Sequence, residues 1–202
     1  MSNMKVLREW LPLTYTSTTI SESRERNNGK IFLKGVIQMA ETLNQNGRIY
    51  PRQILEREMI NYQKFIKENR ALGECDHPAE SVIELKNVSH IVREAQMTGN
   101  SVSGVIELLD TPCGKILQSL VESGVTLGIS SRGVGSTRKQ GDAVIVEDDF
   151  QLICFDIVSE PSTPGAFMHL NESHKIKMND LNTTFNKSDR IFRIFNDIKT
   201  WK

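Results

Sequence analysis

VIELKNVSHIVREAQMTGNSVSGVIELL, residues 82–109, places two runs rich in β-branched and apolar residues on either side of Thr98-Gly99-Asn100. The pattern predicts a strand from Val82 to Met97, a tight turn, and a returning strand from Ser101 to Leu109. Such a hairpin requires antiparallel pairing. Upstream, Lys30 to Glu41 carries Ile31, Phe32, Leu33, Val36 and Ile37 around Gly35, the composition of another strand. Downstream, Gln140-Gly141-Asp142 turns the chain into Ala143–Val146 and then Phe150–Val158, after which Pro161 and Pro164 are expected to end the sheet pattern.

Two helices interrupt the strands. Pro51 suits a first helical turn, and Ile54, Leu55, Met59, Ile60, Tyr62 and Phe65 recur at three- and four-residue steps through about Arg70. Thr111-Pro112 opens the second, with Ile116, Leu117, Leu120 and Val121 as its apolar stripe and Gly124 as its stop. The fold class is α+β, with a mostly antiparallel sheet and flanking helices.

At 202 residues the chain suits one domain with tails. Its 25 basic and 25 acidic side chains balance, which disfavours nucleic acid as a partner. Charge is unevenly placed: residues 173–202 carry a net +4, leaving −4 on residues 1–172. Cys75, Cys113 and Cys154 form no CxxC pair and are odd in number, so they read as small buried hydrophobes in a reducing compartment. No run approaches the ~20 apolar residues that span a bilayer, and the first residues have no secretion-signal pattern. A cytoplasmic location and no membrane partner are expected.

Chemistry concentrates in three segments: Gly73-Glu74-Cys75-Asp76-His77-Pro78, Leu127-Gly128-Ile129-Ser130-Ser131-Arg132-Gly133-Val134-Gly135-Ser136, and Phe155-Asp156-Ile157-Val158. Serine is a poor nucleophile unless an imidazole takes its proton and a third group orients that imidazole. His77, Ser130 and Asp156 supply those three types. Pro78 restricts His77 to extended backbone, which helps aim its ring. Asp76 is a rival orienter, but neighbours in extended chain point apart. His90, His169 and His174 have no comparable context.

Leu127 and Ile129 share a strand face with Ser131, so if they face the core, Ser130 is the accessible serine. A Ser-Ser pair ending a strand before a Gly-rich turn is the structural alternative. Asp156 sits in an apolar strand where an unpaired carboxylate is costly, so it must orient His77 or cap backbone. The small residues in Arg132-Gly133-Val134-Gly135 let backbone N–H groups approach a carbonyl, placing an oxyanion hole around Arg132 and Gly133. Cys75-Asp76-His77 lacks the second Cys/His pair of a metal site, and Gly133-Val134-Gly135 lacks the ending of a phosphate loop. No metal or cofactor is expected.

With Asn46-Gly47-Arg48-Ile49-Tyr50-Pro51 before these segments and Pro161-Ser162-Thr163-Pro164-Gly165-Ala166-Phe167 after them, the order resembles the prohead core (maturation) proteases of T4-type tailed phages. These are relatives in fold of the herpesvirus assembly proteases. The resemblance covers roughly residues 30–168. It implies a barrel-like, herpesvirus protease-like sheet, and an endopeptidase that cuts scaffold (core) and capsid proteins after glutamate inside the phage prohead, within the host cytoplasm. It makes the first serine of the pair, Ser130, the nucleophile, and implies a homo-oligomer in the prohead core. Arg132 then either borders the oxyanion hole with Gly133 or pairs with an acidic substrate residue. In the herpesvirus relatives the orienter is a second histidine, so Asp156 marks the phage branch.

The resemblance divides the chain into a polar leader (1–29), a protease domain (30–172) and a basic tail (173–202). Ile20-Ser21-Glu22-Ser23 and Leu170-Asn171-Glu172-Ser173 approximate the family's cleavage pattern, with serine where a smaller residue is usual. Self-cleavage after Glu22 and Glu172 is expected. In the tail, Ser188 is expected to cap a helix on which Ile191, Ile194, Phe195, Ile198 and Trp201 would share one side. That helix either folds back on the body or binds a partner, and the alternative function is a silent capsid-assembly scaffold that binds through it.

Overall fold

The computed structural model describes residues 24–76 and 82–170. Its centre is a five-stranded antiparallel sheet ordered β10-β1-β5-β4-β3, formed by β1 (Ile31–Met39), β3 (Leu72–Glu74), β4 (Val88–Thr98), β5 (Ser101–Leu108) and β10 (His169–Leu170). The expected hairpin is present. β4 and β5 pair from Thr98 opposite Ser101 to His90 opposite Leu108, and Gly99 makes the turn with φ 59°.

Two smaller ladders complete the strands. β6 (Gly128–Val134) pairs antiparallel with β9 (Gln151–Val158). β7 (Thr137–Gln140) pairs antiparallel with β8 (Ala143–Val146), which also takes β2 (Arg48–Ile49) in parallel. Isolated bridges, Cys75 with Ile157 and Gly128 with Phe167, connect the large sheet's ends to the β6–β9 pair. Among the described residues the ladders remain three separate sheets.

The main core lies between the five-stranded sheet and the β6–β9 pair, and a second cluster joins Val146 of β8 to Ala40, Tyr50, Ile54, Leu55 and Phe150. Ile31, Leu33 and Ile37 of β1 meet Val102 and Ile106 of β5, Ile129 of β6, and Phe155 and Ile157 of β9. Each such fully buried side chain contributes about 1.5–3 kcal/mol. α1 (Arg52–Lys67) buries Ile54, Leu55, Met59 and Tyr62, with Tyr62 edge-on to Phe155 at 5.4 Å. Ile60, expected on that face, is 74% exposed. The buried set follows two rows at four-residue steps, Ile54-Glu58-Tyr62 and Leu55-Met59, and Ile60 falls one residue past Met59.

α2 (Pro112–Glu122) buries Leu117 and Val121 but leaves Ile116 56% exposed, another departure from the expected stripe. Gly114 is what turns this helix onto the hairpin. A Cβ there would lie 2.0 Å from the Leu109 carbonyl oxygen, so only glycine permits the approach.

Two boundaries differ from expectation. β4 starts at Val88, because Glu84–Asn87 form a local turn in which the Asn87 amide donates to Glu84, and Val82 and Leu85 face solvent. The sheet also does not end at the prolines. The Met168 N–H donates to Leu127, and β10 then pairs with β1 through Leu33–Leu170 and Lys34–His169. Residues 24–29, in the expected leader, include a buried Asn27 and an Arg24–Glu122 ion pair. The expected tail helix lies outside the described residues.

Candidate active site

Ser130 in β6 lies directly opposite Asp156 in β9, and Arg132 opposite Cys154. Opposed residues of an antiparallel pair share a face, as do residues two apart along a strand. Ser130, Arg132, Cys154 and Asp156 therefore form one face of this ladder, while Ile129, Phe155 and Ile157 turn into the core. Between Arg132 and Gly133 the register shifts, leaving Ile153 of β9 as the extra residue. Bulges of this kind re-aim side chains beside functional sites.

Alternation at 127–131 holds, but Ser130 is not the accessible serine. It is 3% exposed, whereas Ser131 is half-buried. The cover comes from the Pro161–Thr163 segment, which strand parity could not foresee. Ser162 Oγ lies 3.2 Å from Ser130 Oγ, and Pro161 packs on Gly128 so closely that a Cβ there would meet it at 2.4 Å. Ser131 takes a different partner, accepting from Gln38 Nε2 at 2.7 Å, and Gln38 Oε1 accepts from Thr163 at 2.6 Å.

Asp156 is fully buried and well satisfied. It accepts from Arg132 Nε at 2.8 Å, Arg132 Nη2 at 3.2 Å, the Glu74 N–H at 3.1 Å and the Cys154 thiol at 3.3 Å. Arg132 also pairs with the buried Glu74 carboxylate. Burial alone would make this guanidinium a weaker base, but its bonds to Asp156 and Glu74 outweigh that and raise its pKa. The Arg132 side chain thus already serves two buried carboxylates, and a substrate acid would have to compete with them.

Burial, and then Asp156, hold the Cys154 thiol protonated; burial pushes Cys75 up to about 11. Neither is a thiolate nucleophile at neutral pH. Only Cys154 is buried, contrary to the expectation for all three; Cys75 and Cys113 are half-buried.

His77 lies outside the described residues, as do Glu22 and Glu172. The chain leading to His77 is described. Cys75 bridges to Ile157, and Asp76 donates its N–H to the Ile157 carbonyl at 2.8 Å, one residue from Asp156. Asp76 is not extended, as the argument against it as an orienter assumed. Its φ of 64° is left-handed.

His90 is structural. It is fully buried, with Nε2 3.0 Å from the Phe155 carbonyl and Nδ1 3.0 Å from the Ser89 hydroxyl. Desolvation lowers its pKa to about 4, so it is neutral at pH 7 and donates through Nε2. Gly73 makes room for it, since a Cβ there would lie 2.2 Å from both His90 Nε2 and the Phe155 carbonyl.

Sequence reasoning gave no role to Glu74, Gln38, Ser162 or Thr163. Glu74, Ser162 and Thr163 stood inside the quoted segments, and their only signal was proximity to His77 and to the prolines.

Comparison with known proteins first defines the class. The chain is similar to a solved capsid assembly protease of bacteriophage T4, with TM-score 0.61 and 29% identity over 64% of this chain and 82% of that one. It is also 31% identical over 143 residues to the prohead core protein protease of Enterobacteria phage T4, spanning 68% of each chain. The family described as prohead core protein serine protease matches residues 11–176, and this chain belongs to it.

Proposed function

We propose that the chain is a serine endopeptidase of phage prohead maturation, with Ser130 as nucleophile, His77 as general base and Asp156 as orienter. The observation carrying this reading is that Ser130 and Asp156 are cross-strand partners, while the strand leading to His77 bonds to β9 one residue from Asp156. In the first step His77 takes the Ser130 proton as Oγ attacks the scissile carbonyl. The backbone N–H groups around Arg132 and Gly133 receive the developing oxyanion. The imidazolium then protonates the leaving amine, and water, deprotonated by His77, releases the acyl group. No cofactor is required.

The substrates are scaffold and capsid proteins of the prohead, cut after glutamate, with the chain's own leader and tail trimmed after Glu22 and Glu172. Work inside the prohead, in the host cytoplasm, by an oligomer of this chain follows from the same reading. Among the described residues no helix is long and apolar enough to cross a membrane. A barrel-like closure is supported by the Cys75–Ile157 and Gly128–Phe167 bridges, which join the ends of the five-stranded sheet to β9 and β6.

Purified wild type and Ser130→Ala, each incubated alone and with a fluorogenic peptide spanning Ile20–Ser23, test the function. Cleavage after glutamate by wild type, lost in Ser130→Ala, is the expected result. Equal cleavage by both, or cleavage by neither, contradicts it.

A further inference from the structure

Glu74 is a fully buried carboxylate with one partner ten residues along the chain and another 58 residues along it. Oε1 accepts the Glu84 N–H at 3.0 Å, and Oε2 holds Arg132, which in turn holds Asp156. The Glu74 N–H donates directly to Asp156 at 3.1 Å. Glu74 and Glu84 are the two ends of the stretch that contains His77, so one carboxylate ties both ends to the orienter. Burying a second acid beside Asp156 is costly unless it is paired and hydrogen-bonded. A core position needing only volume would be filled by an apolar side chain. Two carboxylates around one guanidinium also leave these three groups with a formal charge of −1, the sign that favours a cation on the base.

We propose that Glu74 is a positioning residue of the peptidase: it braces Arg132 against Asp156 and ties the Glu84 backbone to the same cluster. The inference rests on the Ser130, His77 and Asp156 reading and adds a fourth ionisable group to it. It also assigns the Arg132 side chain to Asp156 and Glu74 rather than to a substrate acid.

Two variants of the full chain separate the roles. Glu74→Gln keeps an acceptor for Glu84 but loses the charge facing Arg132; Glu74→Ala loses both. Steady-state cleavage of the Ile20–Ser23 peptide should show kcat falling roughly tenfold or more in each, as for other outer partners of active-site groups, with KM little changed. Amide hydrogen exchange, read in a Ser130→Ala background, should accelerate at Glu84 by roughly tenfold or more in Glu74→Ala, less in Glu74→Gln, with β4–β5 amides unchanged.

Wild-type kcat in both variants would overturn the proposal, as would an unchanged Glu84 amide in Glu74→Ala. Unfolding of both variants, seen as loss of β4–β5 protection, would assign Glu74 to stability alone. If wild type cleaves no better than Ser130→Ala, the serine reading itself fails, and Glu84 exchange still reports on the tie.

Discussion

At the scale of single residues, burial decides which groups can do chemistry. His90 and His77 are the same residue type thirteen positions apart, yet His90 is locked neutral between Ser89 and Phe155. Its folded pKa of about 4 lies below the ordinary 6.5, so the unfolded chain takes up a proton first as pH falls. The stability His90 contributes is complete above pH 6.5 and is lost as pH falls toward 4. Its full size is about 3 kcal/mol. Urea unfolding of the Ser130→Ala protein at pH 7 and 4.5 should show this loss, and His90→Gln, which has no proton to gain there, should lose less. Equal losses would mean that His90 titrates normally in the fold. The sequence could nominate Ser130 and Asp156 as candidates because residue type and strand parity are local properties. It did not disclose the cover over Ser130 or the Glu74 tie, because Ser162, Arg132 and Glu84 reach these sites through the path of the folded chain rather than through any local pattern.

Among the elements, the hairpin and both helices were legible wherever a periodic face coincided with a strong stop signal. Gly99 and Gly124 have positive φ at the places where the pattern demanded a turn and a helix end. Ile60, Ile116 and the start of β4 were misread because an apolar residue near a stripe carries no record of what the helix packs on. Thr111 shows how a cap also fixes packing. Its hydroxyl accepts from the Gly114 N–H at 3.1 Å and donates to the Val88 carbonyl, joining α2 to β4. Thr111→Ala should cost about 1–2 kcal/mol in urea unfolding, the upper range for a lost cap, without changing KM for the peptide. A cost within about 0.3 kcal/mol of zero would show that the cap contributes nothing here.

For the whole molecule, the five-stranded sheet and the β6–β9 pair share the main core, β8 packs Val146 into a second cluster with Tyr50, Leu55 and Phe150, and the active-site candidate lies on the side of the β6–β9 pair away from the main core. The expected, mostly antiparallel α+β arrangement is present, built from the β4–β5 and β7–β8 hairpins with α1 in the connection before β3 and α2 in the connection after β5. What the sequence could not convey at this scale was how Pro161–Thr163 returns over β6 before β10 rejoins β1, since that path depends on Gly128 and Gly35 admitting the chain closely. The central claim is that this assembly makes Ser130 a nucleophile served by His77. Its most direct test is treatment of wild type with a fluorophosphonate, followed by intact mass and peptide mapping. The account predicts a single adduct, on Ser130, that His77→Ala greatly slows and Ser130→Ala abolishes. An adduct on Ser131, or labelling that persists at the same rate without His77, would contradict it.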